Sequence, residues 1–421
     1  MFQRRWGPWL SIVWALAGGS CAFAQAVLPE VLVTRTFIAD FEFDWGRDGV
    51  HCAACNGGAG NARFTFTDAN NMLWVGNVDR DTGAFVPTNG RGVLVDTDAA
   101  QALDFGNGPE WVNTAQGSQI AYVKYKPGME HTPANSGLAV AGLVGGAWSG
   151  AFVPGGDQRS SVIGSLDIDD PLPRLLYQNN SNFRAYWRYT DDPSSETLLP
   201  SDRPVCSRRW VPGQHAVVYT APCLLRDTAS KPAQAYWYDL LTGVEQQITF
   251  DAGFKLYAFA WRAPEFGNDF VLFTVSDRTT LVIYRQVTNG DGTKTWTLIN
   301  TIRMPPELPY VASPESFVHN GKSYVVMQVS TSISPSDFKV PTQIALTGID
   351  PALPSFRLLT NDNSTARVRM DPEYYITSQG PYIYYNRYVA ATATTPLKLD
   401  GVWRVDTGLG PPLALRETPA E

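Results

Sequence analysis

Acidic residues recur at one point of a repeated phrase, and they are the first candidates for chemistry. Glu110, Glu315, Asp371 and Glu373 stand at the entries of predicted strands, in the phrases GPEW, SPES and DPEY. Grouped carboxyl groups can carry out acid–base catalysis when burial and like charge raise the pKa of one of them. They can equally bind a cation or a polar ligand. The sequence favours a third role, as turn residues bonded to neighbouring backbone, because it explains the repetition without a ligand.

Basic side chains stand near the same strand entries. Arg208, Arg209 and Arg262 occupy related positions in two adjacent repeats, so we expect them to approach the acids at one mouth of the fold. A polysaccharide lyase needs a tyrosine or histidine base and a cation, which His131, Tyr374 or Tyr375, and Arg208 or Arg262 could supply. For His131, an exposed loop position without a catalytic role is the favoured interpretation.

Aromatic side chains accompany the acids. Trp111, Trp210 and Trp261 follow the strand entries, and Tyr374 comes directly after Glu373. Aromatic faces cover the C–H patches of sugars while carboxylates bind hydroxyl groups, so this combination is typical of a sugar-binding surface. The competing interpretation, favoured for the tryptophans, is that they fill the core between sheets. The ligand-binding candidates are therefore Trp111, Trp210, Trp261, Arg208 and Asp371.

Metal-binding patterns are weak. The four histidines show neither H-x-x-H nor H-E-x-x-H spacing, so no zinc site is predicted. The stretches 79–81 and 289–292 resemble fragments of calcium loops, but they lack the closing glutamate and are explained as turns. We predict no cofactor, with a bound Ca²⁺ ion as the one alternative left open.

Cysteine usage indicates disulfides. Cys52, Cys55, Cys206 and Cys223 form an even set after the leader described below, which in an exported chain favours pairing. A Cys206–Cys223 bridge would close a short loop and add about 3 kcal/mol. For Cys52 and Cys55 a local bridge is favoured over a metal or redox role, because no second Cys-x-x-Cys pair and no thioredoxin pattern accompany them.

The first residues predict export. Arg4 and Arg5 precede an apolar run at 9–16, and the A-x-A triplet at 22–24 is a cleavage site, so we expect residues 1–24 to form a cleaved signal peptide. Cys21 raises a lipoprotein alternative, but the usual large aliphatic residue is absent three positions before it. We expect a periplasmic or secreted protein.

Composition narrows the possible partners. The 421-residue chain has a net charge of -7 and no long basic run, which argues against nucleic acid. No segment after the leader is apolar enough to span a bilayer. Charged residues make up 17% and aromatic residues 12%, which suits a large all-β body. We expect a monomer whose partner is a polysaccharide or an envelope protein.

The elements that position these side chains are short strands. The sequence shows them as runs of alternating apolar and polar residues, separated by Gly, Pro, Asn and Asp. They predict an all-β fold, a single β-propeller over 25–421 with seven blades of four antiparallel strands, or six as the alternative. Residues 31–36 could add a strand that closes the ring. The predicted blades span 37–97, 108–156, 161–200, 205–250, 256–303, 312–359 and 369–417.

The repeated phrases resemble the TolB-like and WD40-like (PD40) repeats of exported bacterial propellers. That family has an aromatic anchor, a W-S-P-D-G turn and an I-A-Y/F strand. Trp111, Trp210 and Trp261 match the anchor, and 120–122 and 217–219 match the strand, while the turn is degenerate. The resemblance implies the fold but not the activity, because such propellers include partner-binding domains, polysaccharide lyases and domains attached to peptidases.

Two functions follow as hypotheses. The first is a non-catalytic, exported platform that binds a glycan or protein partner through the propeller face where the d–a and b–c strand connections gather. The alternative is a carbohydrate-active enzyme, a polysaccharide lyase or glycoside hydrolase, with its site at the mouth of the propeller channel. A peptidase is disfavoured, because no G-x-S-x-G motif is present.

Overall fold

The computed structural model describes most of the chain and is almost entirely β-strand. The leader at 1–24, Cys52 and Cys55 lie outside the described residues. No helix within the described ranges is long and apolar enough to cross a membrane. The described residues are 28–45, 61–102, 107–114, 117–165, 172–200, 204–223, 232–334, 337–352, 356–361 and 367–413.

Seven antiparallel sheets form the blades, so the predicted all-β seven-bladed propeller is confirmed and the six-blade alternative is wrong. The chain starts with β1 (Val31–Thr34). Blade one contains β2 (Ala39–Phe43), β3 (Arg63–Thr67), β4 (Leu73–Val78) and β5 (Phe85–Val86), and β6 (Val93–Asp96) also pairs with β4. Blade two contains β7 (Glu110–Thr114), β8 (Gly117–Tyr125), β9 (Ser136–Val144) and β10 (Ala147–Asp157). Blade three contains β11 (Arg159–Gly164), β12 (Arg174–Asn179), β13 (Ala185–Tyr189) and β14 (Thr197–Leu198).

The remaining four blades repeat this meander. Blade four contains β15 (Cys206–Trp210), β16 (Ala216–Ala221), β17 (Gln234–Asp239) and β18 (Glu245–Gln247). Blade five contains β19 (Lys255–Ala263), β20 (Asp269–Ser276), β21 (Thr280–Thr288) and β22 (Lys294–Arg303). Blade six contains β23 (Tyr310–His319), β24 (Lys322–Ser330), β25 (Thr342–Gly348) and β26 (Arg357–Leu358). Blade seven contains β27 (Arg367–Thr377), β28 (Gly380–Val389), β29 (Lys398–Asp406) and β1.

The ring is closed by a strand from the start of the chain. β1 pairs with β29, with Val31 opposite Arg404, and so completes the sheet that the last three strands begin. The strand predicted at 31–36 therefore exists and joins the two ends of the propeller. Glu30, just before β1, forms ion pairs with Arg369 and Arg387 of blade seven, the latter at 3.1 Å. This contact fastens the closing strand to the sheet.

A bulge near the start of the inner strand recurs in six blades. One residue there adopts a left-handed conformation, with φ between 41° and 56°, and the ladder to the second strand shifts register. Such a bulge twists the strand and re-aims the residues that follow it. The bulge residues are Asp40, Ser161, Ser207, Tyr257, Ser313 and Asp371.

The core lies between adjacent blades and depends on aromatic packing. Phe43 of blade one lies 5.0 Å from the ring centroids of both Tyr375 and Tyr384 of blade seven. Phe64 and Phe85 extend the cluster within blade one, with their centroids 4.1 Å apart. All five side chains are buried, and burying a ring of this size stabilises the fold by about 1.5–3 kcal/mol. The first and last blades are thus joined by packing as well as by strand pairing.

Candidate functional site

A cavity of about 130 Å³ lies on the propeller axis, and all seven inner strands contribute to its wall. In six blades the residue two positions after the bulge lines it, and in blade two Glu110 lines it. These seven wall residues are Glu42, Glu110, Ile163, Arg209, Phe259, Glu315 and Glu373. The bulges therefore give the channel a single ring of side chains at one level.

Four of the seven ring residues are glutamates, and they come from adjacent blades. Glu315, Glu373, Glu42 and Glu110 belong to blades six, seven, one and two, in that order around the ring. The other three blades contribute one aliphatic, one cationic and one aromatic side chain. The wall is thus acidic on one side and mainly apolar on the other.

Most of these carboxyl groups have no hydrogen-bond or ion-pair partner among the residues that the structure describes. Asn107 donates to Glu110 Oε1 at 3.0 Å. Within the described part of the chain, the carboxyl groups of Glu42, Glu315 and Glu373 make no hydrogen bond or ion pair. Glu373 is only 7% exposed, although its side chain lines the cavity. Buried carboxylates are normally paired, so this arrangement is unusual.

Burial raises the pKa of each ring glutamate. The pKa of Glu315 is raised to about 8 by burial, with smaller contributions from Asp371 and Glu110, and Arg209 opposes the rise. Burial and neighbouring carboxyl groups also hold the pKa values of Glu42 and Glu373 well above their usual range. Neutral carboxyl groups are therefore favoured at this wall at a pH where exposed glutamates are ionised.

Arg209, rather than the predicted Arg208, is the cation that reaches the cavity. Its guanidinium carbon lies 5.0 Å from the ring centroid of Phe259. Arg208 turns away and donates to the main-chain oxygen of Ser161 at 2.6 Å, and burial lowers its pKa to about 10. Successive residues of a strand point to opposite faces, so only one of the two arginines can face the channel.

The three predicted tryptophans line the cavity and also connect neighbouring blades. Each is at most 4% exposed. The indole N–H of Trp210 donates to the main-chain oxygen of Ile163 at 3.1 Å. The indole N–H of Trp261 donates to Ser323 Oγ at 3.0 Å. Packing between sheets therefore accounts for most of their surface, and only part of each ring is available to a ligand.

The aromatic wall is completed on the acidic side. Tyr374, a predicted site residue, lines the cavity and stacks on Trp45 with 4.2 Å between the ring centroids. Phe317 packs on Tyr374 at 4.9 Å. Asp371 does not line the cavity. It occupies the bulge of β27 with φ 56°, close enough for its charge to raise the pKa of Glu315.

His131 and Arg262 are not brought to the cavity, which corrects their expected positions. His131 is exposed, stacks on Tyr125 at 4.1 Å and lies 3.9 Å from Asp98. Arg262 donates to the main-chain oxygen of Asn268, in the connection between β19 and β20. That connection follows the inner strand, so it lies at the end of the blade opposite the bulge. The lyase combination of His131, Tyr374 and Arg262 is therefore not assembled.

The Cys206–Cys223 bridge is present. The two Cα atoms are 5.0 Å apart and the residues are separated by 17 positions. The bridge joins the start of β15 to the segment after β16. It therefore fixes the start of β15, the strand that also carries Arg208 and Arg209.

The ring glutamates do not converge on a single ion. Among the described residues, no group of three or more His, Cys, Asp or Glu side chains is placed to hold a metal. The stretch at 79–81 forms a turn in which Asp79 Oδ1 accepts from the main-chain N–H of Thr82 at 2.7 Å. The four ring carboxyl groups are instead spread around one half of the wall.

Sequence reasoning missed Glu42 and Phe259. A signal for Glu42 exists, because Asp40-Phe41-Glu42 has the same Asp-x-Glu spacing as Asp371-Pro372-Glu373. In both, the aspartate is the bulge residue and the glutamate faces the channel. Phe259 has no comparable signal, because it lies among other apolar strand residues.

Comparisons with known proteins identify the fold and leave the activity open. No family model matches the chain, and no curated protein matches it. The Cps50 (Swd1) β-propeller domain from Myceliophteria thermophila is similar in structure, with TM-score 0.52 and 9% identity over 90% of this chain and 100% of that chain.

The similar structures also include two TolB proteins, the group that the repeat phrases resemble. The putative TolB from Agrobacterium tumefaciens gives TM-score 0.36 and 14% identity over 60% of this chain and 79% of that one. TolB from Acinetobacter baumannii gives 0.37 and 16% over 82% and 79%. At 9% identity, the likeness to the Cps50 (Swd1) domain shows a propeller fold and nothing finer.

Proposed function

We propose that the protein is an exported, monomeric binding platform, and that a polysaccharide or an envelope protein binds over the axial cavity. The observation that carries this proposal is the wall of the cavity, where four glutamates, one arginine and several aromatic rings from seven blades meet. Carboxyl groups bind hydroxyl groups or cations, and aromatic rings cover apolar patches, so the wall suits a partner with both kinds of surface.

The positions of the remaining candidates favour binding over elimination chemistry. A lyase base must lie within hydrogen-bond reach of the proton that it removes. His131 is exposed and packed on Tyr125, and Arg262 lies beside the turn after its own strand. Neither lines the cavity, so of these three predicted lyase residues Tyr374 alone does, and its ring is packed on Trp45 and Phe317.

A direct test is a binding screen of the purified full chain against neutral and anionic polysaccharides and an envelope protein extract. The variant Glu110→Gln/Glu315→Gln/Glu373→Gln changes three cavity carboxyl groups without altering their shapes. Glu307→Gln is the matched control, because Glu307 is exposed and outside the cavity. We expect one partner to be retained by the wild type and the control and lost by the triple variant. Retention by the triple variant would contradict a cavity site.

A glycoside hydrolase is the second candidate, because one observation favours it. Hydrolysis needs one protonated and one ionised carboxyl group on opposite sides of the bond. Glu315, with its pKa raised to about 8, could be the acid, and Glu110, which Asn107 hydrogen-bonds, could be the carboxylate. Reducing-end release and absorbance at ~235 nm should be recorded on the same polysaccharide panel. Elimination produces the absorbance, so release without it indicates hydrolysis. Release that Glu315→Gln abolishes and Glu307→Gln preserves would replace the platform with an enzyme.

A further inference from the structure

The acidic half of the cavity wall contains an unmatched carboxyl group. Glu373 is 93% buried, lines the cavity, and has no hydrogen-bond or ion-pair partner among the described residues. Glu42 and Glu315, on either side of it around the ring, also lack such partners in the described part. Folded proteins pair buried carboxylates. A group that faces a cavity without a partner therefore points to a ligand.

The protein's own cation offsets the acidic side of the wall only in part. Among the described residues that line the cavity, Arg209 is the only arginine or lysine, and its charge opposes the rise in the pKa values of Glu42, Glu110 and Glu315 without an ion pair to any of the four glutamates. Its guanidinium group packs on Phe259, on the side opposite Glu373. Four carboxyl groups face one guanidinium group, so the cavity retains an excess of acidic groups.

The rest of the wall fits an organic cation better than a metal ion. Within the described ranges the carboxyl groups do not converge as metal ligands do. Aromatic rings lie beside them, including the stacked pair Trp45 and Tyr374. Aromatic faces attract alkylammonium groups electrostatically while carboxylates supply the counter-charge. A dry cavity of about 150 Å³ binds benzene, so the ≈ 130 Å³ here accommodates a group of similar size.

We propose that the axial cavity binds an alkylammonium group of about five or six non-hydrogen atoms, with Glu373, Glu42 and Glu315 as its counter-charges and the Trp45–Tyr374 pair as its aromatic wall. The group is carried by a small amine or by a lysine side chain of a partner protein. This inference rests on the proposed function, for which it names the chemistry of the bound group.

Proton release is a second signature of this site. The charged groups that act on one another there are the four ring glutamates and Arg209, which line the cavity, and Asp371 and Arg208, which do not line it. Because burial and like charge raise the pKa values of the glutamates, some bind protons near neutral pH. A bound cation favours their ionised form, so binding should release protons and become tighter as the pH rises from about 6 to about 8.

The test is calorimetric titration of the full chain with tetramethylammonium chloride at pH 8. The uncharged molecule tert-butanol, which has the same shape and number of non-hydrogen atoms, is the matched ligand. We expect the cation to bind at least about tenfold more tightly than the alcohol. The binding heat should also depend on the ionisation enthalpy of the buffer, which reports released protons. Equal affinities for the two molecules, or no binding of tetramethylammonium, would overturn the inference.

Variants locate the binding site. Glu373→Gln should weaken tetramethylammonium binding about tenfold or more, while Glu307→Gln should leave it unchanged. Thermal unfolding should show that Glu373→Gln is folded, because the amide has the same shape as the carboxyl group and Glu373 makes no side-chain hydrogen bond or ion pair with the described residues. Wild-type affinity in a folded Glu373→Gln variant would place the cation elsewhere and overturn the inference.

Two further arms identify the source of the group. A lysine derivative with blocked α-amino and carboxyl groups represents a partner side chain, and butylammonium represents a free amine. Binding of either one, abolished by Glu373→Gln, supports the inference, and the tighter of the two indicates the source. The polysaccharide and envelope screen is independent of these probes. A partner found there that is lost in the triple variant, with no cation binding, would leave the proposed function intact and overturn this inference alone.

Discussion

The indole N–H of Trp111 donates to the main-chain oxygen of Glu42 at 2.8 Å, and so joins blade two to blade one at the level of the cavity. Trp210 and Ile163 repeat this link between blades four and three. In both cases the tryptophan directly follows one ring residue and holds the backbone of another. The tryptophans that mark the repeat in the sequence therefore also fix the positions of the side chains around the cavity.

Trp111→Phe should lower the free energy of unfolding by about 1–2 kcal/mol, because it leaves the Glu42 carbonyl without its donor. Urea denaturation measures this change. Trp148→Phe is the matched control, because both tryptophans pack on Arg63. Its guanidinium carbon lies 4.9 Å from the ring centroid of Trp111 and 5.4 Å from that of Trp148. A loss for Trp148→Phe as large as that for Trp111→Phe would argue that ring packing, rather than the hydrogen bond, is responsible.

Glu315→Gln should stabilise the protein more at pH 8 than at pH 5. The raised pKa of Glu315 means that the folded state binds a proton on this group between its ordinary value of 4.5 and about 8, where the unfolded state does not. Its contribution to stability therefore falls as the pH rises through that window. We expect the gain from the substitution to be at least about 1 kcal/mol larger at pH 8, measured by thermal unfolding. Glu307→Gln should give the same small change at both pH values, and a Glu315→Gln effect independent of pH would contradict the prediction.

Glu30→Gln should destabilise the protein by about 3–5 kcal/mol, because it removes one partner of a buried ion pair. Arg369 has no exposed side-chain surface and donates through Nε to Glu30 Oε2 at 3.0 Å. Arg387 and Tyr385 donate to the same oxygen at 3.1 and 2.6 Å. The midpoint of urea denaturation measures the loss, with the exposed Glu130→Gln as control.

The stability that the Glu30 carboxylate gives to the closed ring should be lost at acid pH. The side chains of Arg369, Tyr385 and Arg387 hold the pKa of Glu30 below its usual range, although burial opposes them. The stability that this carboxylate contributes is present above its ordinary pKa and is lost as the pH falls through the lowered value. The difference between wild type and Glu30→Gln should therefore shrink below about pH 4. A difference that stays constant down to pH 2 would indicate that charge is not the cause.

Cys206→Ser/Cys223→Ser should lower the free energy of unfolding by about 3 kcal/mol, because the bridge restricts the unfolded chain over a separation of 17 residues. Denaturation of the double variant and of the wild type, each with and without dithiothreitol, separates this bridge from the other cysteines. A further loss in the double variant on reduction would reveal a contribution from Cys52 and Cys55. No difference between the unreduced wild type and the double variant would contradict the prediction.

The bulge explains why Arg209 rather than Arg208 lines the cavity, which the sequence could not decide, while Glu110, Glu315 and Glu373 line it at positions that the repeated phrase marks. Glu110, Glu315 and Glu373 follow proline in a phrase that repeats, so their common position is visible in the sequence. Arg208 and Arg209 are adjacent, and which of them faces the channel depends on a single left-handed residue, Ser207. A left-handed residue of this kind shifts the alternation of the strand by one position. The bulge residue is a serine or a tyrosine in four blades, and neither residue type predicts a bulge from the sequence.

By itself, the sequence predicted the propeller, favoured seven blades over six, and indicated the closing strand and the Cys206–Cys223 bridge, because alternation, turn residues and loop length are properties of short segments. Only the tertiary structure decided which side chains share the cavity. Glu42 and Glu373 come from opposite ends of the chain and become neighbours through closure of the ring. Their raised pKa values arise from burial and mutual charge, which exist only after that closure. His131 and Arg262 were excluded from the cavity for the same reason, since their distance from it depends on how the blades are arranged around the axis.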